Sequence, residues 1–157
     1  MPLDSSQDDC IVESLLGRKP QGDYEIAVRR LDGTPRVIKN APFLNDGTPM
    51  PTTYWLIDPV DKLLISRLES TGAIDEAERE IGLEKLKEIH LTYEQQRDKS
   101  IDRDYEGPRP SGGVGGTRKG IKCLHAHYAW FLAGGNDPVG LWIENQLSEE
   151  NCNKTQN

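Results

Sequence analysis

The sequence predicts an α+β fold, in which a small antiparallel β-sheet of two to three strands packs against four to five α-helices. Residues 24–31 alternate apolar and polar side chains, which is the period of a half-buried strand. The Asp32-Gly33 pair that follows favours a hairpin turn. Farther along the chain, residues 74–99 place apolar side chains along one stripe at helical spacing. These patterns indicate an N-terminal sheet followed by helices.

The strands are expected in the first third of the chain. Residues 24–31 and 36–39 form the predicted hairpin, and residues 52–57 have the β-branched and aromatic composition of a third strand. The connecting stretch 40–51 contains three prolines, which remove backbone donors and disfavour regular pairing. A short helix is predicted before the sheet, and Gly17 is expected to end it.

Two Asp-Pro pairs predict the starts of helices. Asp58 and Asp137 are suited to cap a helix, and the proline after each suits the first helical position. In the helix that follows Asp58, we expect Leu63, Leu64 and Leu68 to face the core. The predicted helices after the sheet cover residues 60–70, 74–99 with a break near Gly82, 121–132 and 138–148.

One domain is expected. The chain has 157 residues, of which 35% are hydrophobic and 29% are charged, and this composition allows a single core of modest size. We assign the globular domain to residues 9–148. The polar stretches 1–8 and 149–157 are expected to be disordered.

Charge and cysteine content narrow the function class. A net charge of −7 argues against a general nucleic-acid binder, which would present a basic face. Three widely spaced cysteines suit a reducing compartment better than a disulfide framework. No apolar run reaches the length of a membrane span, and the N-terminus lacks the regions of a signal peptide. We therefore predict a cytoplasmic protein that needs no membrane span, nucleic acid or cofactor.

The candidate site is organised around the glycine-rich segment of residues 111–120. It runs into a predicted helix that carries two of the three histidines and one of the three cysteines. Backbone donors, the positive end of that helix and the basic residues Arg118 and Lys122 favour binding of an anion such as phosphate. The segment matches neither a P-loop nor a dinucleotide fingerprint. A surface loop with solvated charges is the alternative.

Cys123, His125 and His127 suggest two further kinds of chemistry. If one helix holds all three, the two histidines point in nearly opposite directions, so a single metal ion cannot take all three ligands. Cys123 and His127 could supply two ligands if carboxylates or His90 supplied the others, but we predict no metal site from this pattern. The helix start and nearby basic residues would stabilise a Cys123 thiolate, and a histidine one turn away would act as its base. Ordinary packing of Cys123 and hydrogen bonding of His125 at the core edge are the alternatives.

Four blocks of residues carry a resemblance to a known family. They are Lys39-Asn40-Ala41-Pro42, Asp46-Gly47-Thr48-Pro49-Met50-Pro51-Thr52, Ser66-Arg67-Leu68-Glu69-Ser70-Thr71-Gly72 and Lys122-Cys123-Leu124-His125. In this order they resemble the bacterial family called domain of unknown function 501, over most of the chain from about Leu16 to Trp142. That family is typical of high-GC Gram-positive bacteria, and its members are often labelled as related to septum formation initiators. They tend to be encoded near a division initiator and an exopolyphosphatase.

The resemblance implies a candidate site and a pathway. The matching polar positions are Lys39, Arg67, Glu69, Lys122, Cys123 and His125, whereas His127 lies outside the recognised blocks. The septum-formation label implies a cell-division protein as a partner. It does not imply a mechanism, because septum formation initiators are small membrane coiled-coil proteins and this sequence shows neither a span nor sustained heptads.

Two functional hypotheses follow. The first is an interaction protein that binds a phosphate-containing small molecule and serves cell division. The second is a hydrolase or transferase acting on a phosphorylated substrate, in which Arg118 and Lys122 bind the anion and Cys123 or His125 carries the chemistry. Turnover distinguishes the two.

Overall fold

The computed structural model describes residues 5–155, with side chains described as far as Cys152. The strands are β1 (Tyr24–Arg29), β2 (Pro35–Asn40) and β3 (Tyr54–Leu56). The helices are α1 (Ser5–Leu16), α2 (Pro59–Ser70), α3 (Ala73–Ile81), α4 (Leu83–Asp98), α5 (Leu124–Leu132) and α6 (Pro138–Thr155). This arrangement confirms the predicted α+β class. A single 3₁₀ turn, Val114–Gly116, lies in the long segment between α4 and α5.

The three strands form one antiparallel sheet in the order β1-β2-β3. The register pairs Ile26 with Ile38 and Val37 with Leu56. Because successive side chains of a strand point to opposite faces, Val37 and Ile38 serve two different cores. Val37 packs into the large core with helices α2 to α6, and Ile38 packs with Val12 of α1. The sheet is therefore covered on both faces.

The capping prediction for α2 is confirmed and explains its orientation. The Asp58 carboxylate accepts a hydrogen bond from the Asp61 amide at 2.9 Å, and Pro59 occupies the first helical position. Asp61 is itself buried and binds the Arg36 guanidinium, with 2.6 Å between Nε and Oδ2. Asp61, Ile65 and Leu68 are the buried residues of α2. Leu63 lies about 200° around the helix from Asp61 and is 53% exposed. The expectation that Leu63 faces the core is therefore wrong.

The helix count is higher than predicted. Six α-helices occur between residues 5 and 155, one more than the upper prediction of five. Gly82 separates α3 from α4 with φ +88° and ψ 142°, a backbone conformation that glycine adopts without a steric penalty. The helical residues 5–8 and 149–155 occupy stretches for which the sequence predicts disorder. The rest of those two predicted stretches, residues 1–4 and 156–157, lies outside the described residues.

No helix between residues 5 and 155 combines the length and the apolar character that a membrane span requires.

Candidate thiol–imidazole–carboxylate site

The first part of the site is the start of α5, which differs from the prediction. The helix begins at Leu124 rather than Ile121, and Cys123 is its N-cap residue with extended backbone, φ −155° and ψ 124°. Its side chain makes no capping hydrogen bond. Because Cys123 lies outside the helix, its side chain turns toward His125, with 3.6 Å between Sγ and Nδ1.

The second part of the site is one face of α2. Lys62, Ser66 and Glu69 follow one another at spacings of four and three residues, so they lie on the same face. That face meets α5 at His125. The His125 Nε2 atom is 3.2 Å from the Lys62 carbonyl oxygen and 3.2 Å from the Ser66 hydroxyl. The imidazole is therefore held between α2 and the start of its own helix.

Glu69, Cys123 and His125 converge at this point, and we call them the ligand cluster. One oxygen, sulfur or nitrogen atom from each lies within 4.8 Å of the others. Glu69 Oε1 is 2.9 Å from His125 Nδ1, and the two side chains are 22% and 26% exposed. Three chemically different groups thus share one small, partly open volume.

The electrostatics of the cluster favour a positive charge at the imidazole. The hydrogen bond with Cys123 is the largest influence that raises the pKa of His125, and the charge of Glu69 adds to it. Burial acts in the opposite direction. A histidine with a raised pKa remains an available acid at neutral pH.

The glycine-rich segment lies close to the site but does not present its amides to it. The Gly113 amide donates to the Thr117 carbonyl, and the Gly116 amide donates to the Gly113 carbonyl. The Val114 amide donates to Nδ1 of His90 at 3.1 Å. These three amides are therefore satisfied by partners within the protein.

The other predicted binding residues are spread over the surface. Arg67, Arg118 and Lys122 are exposed, and we find no acidic partner for them among residues 5–152. Lys122 directly precedes Cys123, and its aliphatic stem lies against Gly115. Lys39 lies elsewhere, in the wall of a cavity of about 210 Å³ that includes Tyr54 but no member of the ligand cluster.

The alternative pairing of Cys123 with His127 is not formed. His127 is completely buried, and its Nδ1 lies 2.7 Å from Oδ2 of Asp137. Asp137 also accepts the Val139 amide at 3.0 Å, as its predicted capping role requires. His127 is thus committed to the junction between α5 and α6.

Sequence reasoning missed Ser66 and the Lys62 carbonyl as parts of the site. A signal for Ser66 existed, because it precedes the predicted Glu69 by one helical turn. A backbone carbonyl carries no signal in the sequence.

The fold and the site define an α+β protein with a mixed thiol, imidazole and carboxylate cluster between two helices. The chain belongs to the family described as "Protein of unknown function (DUF501)", whose model matches residues 26–145. This span includes all three strands, in whole or in part, and the whole ligand cluster. No curated protein and no solved structure matches the chain.

Proposed function

We propose that this protein is a hydrolase or transferase that acts on a phosphorylated substrate in the cytoplasm, with its reaction centre at the ligand cluster. The observation that carries the proposal is the convergence of the side chains of Glu69, Cys123 and His125 within 4.8 Å. Glu69 and Cys123 are far apart in the sequence, and their partial exposure leaves the centre open to a substrate. Titratable side chains that converge in a partly open site are typical of enzymes.

Binding of a phosphate group is supported by the surroundings of Cys123. The amides in the first turn of α5 receive no side-chain cap, and such amides attract anions. Lys122 stands directly before Cys123, with Arg118 four residues earlier. These groups would bind the phosphate while His125 serves as the acid or base.

The test is release of phosphate from a panel of phosphomonoesters and pyrophosphate by the full chain. We expect Cys123→Ala and His125→Ala to lower turnover by about a hundredfold or more, with unchanged thermal unfolding. Cys10→Ser is the matched control, because Cys10 is exposed and lies on α1, across the sheet. Absence of turnover, or turnover that survives both alanine variants, would contradict the proposal.

A second candidate is an anion-binding interaction protein that serves cell division without turnover. It is favoured by the exposed basic side chains Arg67, Arg118 and Lys122, for which no acidic partner occurs in the described part of the chain. This candidate requires binding of phosphate or pyrophosphate to weaken in the Arg118→Ala and Lys122→Ala variants. Unchanged anion affinity in both variants would contradict it.

A further inference from the structure

We propose that Glu69, Cys123 and His125 bind one divalent transition metal ion of the zinc class. The inference deepens the proposed function and rests on it for the reaction that the ion serves. Binding of the ion itself is measured without any substrate.

The first argument is the protonation of the imidazole. The Lys62 carbonyl can only accept a hydrogen bond, so His125 Nε2, 3.2 Å away, carries a proton. In the neutral ring, Nδ1 then presents a lone pair toward the Cys123 sulfur and the Glu69 carboxylate. Metal-ligating histidines commonly donate their other ring N–H to a backbone carbonyl in this way.

The second argument is the state of the Glu69 carboxylate. Its Oε1 atom is buried and receives no hydrogen bond within the described residues, although His125 Nδ1 is only 2.9 Å away. The close approach therefore lacks the geometry of a hydrogen bond. Two electron-rich atoms at this separation repel each other unless a positive charge lies beside them. A bound cation removes the repulsion and satisfies the buried oxygen.

The third argument is distance. Zinc bonds of about 2.3 Å to sulfur and about 2.05 Å to nitrogen, at a tetrahedral angle, place the two ligand atoms about 3.6 Å apart. The observed separation of Cys123 Sγ and His125 Nδ1 is 3.6 Å. The corresponding separation of nitrogen and oxygen is about 3.4 Å, so Glu69 Oε1 must move outward from its present 2.9 Å. Rotation of the glutamate side chain achieves this.

The donor set determines the class of ion. One sulfur, one nitrogen and one carboxylate oxygen suit zinc, whereas magnesium and calcium prefer oxygen ligands alone. Three protein ligands leave a fourth tetrahedral position, which is the arrangement of catalytic zinc sites. The partial exposure of Glu69 and His125 leaves room there for water or a substrate oxygen.

The experiment uses the full chain with Cys10→Ser and Cys152→Ser, so that Cys123 is its sole thiol. We titrate it with Co²⁺, a spectroscopic substitute for zinc, and with Zn²⁺ by calorimetry. We expect one ion per chain and a sulfur-to-cobalt charge-transfer band. Cys123→Ser should abolish the band, and His125→Ala or Glu69→Gln should weaken Zn²⁺ binding by about tenfold or more. Glu76→Gln, which changes an exposed glutamate on α3, should change neither the cobalt band nor the affinity for Zn²⁺.

A second measurement leaves the site unmutated. Zn²⁺ should slow the alkylation of Cys123, because coordination removes the thiolate from reaction. Alkylation that is indifferent to Zn²⁺, or a cobalt band that persists in Cys123→Ser, would overturn the proposal. If the site binds no metal and protonated His125 alone supplies the positive charge, alkylation of Cys123 would be indifferent to Zn²⁺.

The same measurements separate this inference from the proposed function. Zinc binding without turnover of any phosphorylated substrate supports the metal site and overturns the enzyme. Turnover that needs Cys123 but is unaffected by chelation overturns the metal site and supports the enzyme.

Discussion

His90 shows how a single residue fixes the loop beside the site. It is 2% exposed, its Nε2 donates to the Gly120 carbonyl at 2.7 Å, and its Nδ1 accepts the Val114 amide. Both ring nitrogens are therefore occupied in the neutral form. Burial is the largest influence and lowers the pKa of His90. The hydrogen bond with Gly120 and the charge of Asp137 oppose this shift, while the nearby His127 acts in the same direction as burial.

At the residue scale we predict that acid destabilises the protein through His90. A histidine whose pKa is lower in the folded state than in the unfolded state stabilises the folded protein. This contribution is complete at pH values above the unfolded pKa of about 6.5, and it is lost as the pH falls toward the folded pKa. The free energy of unfolding should therefore fall more steeply below about pH 6.5 in the native protein than in His90→Gln. Urea titrations of both proteins over this range test the difference. Parallel curves would contradict the assignment.

At the scale of elements, the segment from residue 101 to residue 120 is a loop that side chains of α3 and α4 bind by hydrogen bonds. The Arg97 guanidinium, at the end of α4, donates to the carbonyls of Pro51, Pro110 and Gly112. Its side chain is 1% exposed. Glu78 of α3 accepts the Ile121 amide at 2.8 Å and fixes the exit of the loop. These hydrogen bonds position the end of the loop, and therefore Cys123, beside α2.

We predict that Arg97→Met releases this loop. Loss of several charged hydrogen bonds to buried carbonyls should cost about 3 kcal/mol of unfolding free energy, and the Val114 amide should exchange much faster with solvent. Arg103→Met, which changes an exposed arginine within the loop, should cost less than about 0.5 kcal/mol. Hydrogen exchange and chemical denaturation provide the two readouts. Equal exchange rates in both variants would show that Arg97 does not hold the loop.

The elements also show what the sequence could predict. The hairpin, the two Asp-Pro helix starts and the break at Gly82 have local causes, and the structure contains all of them. The start of α5 has no such signal, because cysteine is not a favoured cap. The three-residue error placed Cys123 within the helix, whereas it is the N-cap residue. Exposure of Leu63 could not be predicted either, because it depends on which side of α2 is buried, and Asp61 on the opposite side is buried in an ion pair with the distant Arg36.

The sequence predicted which residues belong to the candidate site, but it did not predict that they lie together. Cys123, His125 and Glu69 all appeared in the blocks that resemble the family. Their convergence depends on packing between α2 and α5, over a separation of 63 residues from Lys62 to His125. No local pattern encodes that contact.

At the scale of the whole molecule, the sheet separates two cores of unequal size. The small one contains Val12, Ile38 and Ile57, and the large one lies on the face of the sheet that carries the ligand cluster. Helix α1 therefore stabilises the sheet from the side away from the site.

We predict that the two cores respond differently to the same change. Val12→Ala should cost about 1.5 kcal/mol, the transfer energy of two carbons, because α1 can shift to close the gap. Val37→Ala should cost about 2.5 kcal/mol. Strand β2 is paired with a strand on each side and cannot shift to close the gap. Both valines are fully buried, which makes the pair a matched comparison. The alkylation rate of Cys123 in the native state should be unchanged by Val12→Ala, and an altered rate would show that α1 reaches the site.

The order of the strands has a consequence for how the protein folds. Each strand pairs with its neighbour along the chain, so the sheet closes only short loops and should form early. The contacts of His125 with Lys62 and Ser66 join segments 63 and 59 residues apart. The ligand cluster therefore belongs to the last part of the chain to assemble, and any substitution in it that lowers stability should do so by accelerating unfolding while leaving the folding rate nearly unchanged.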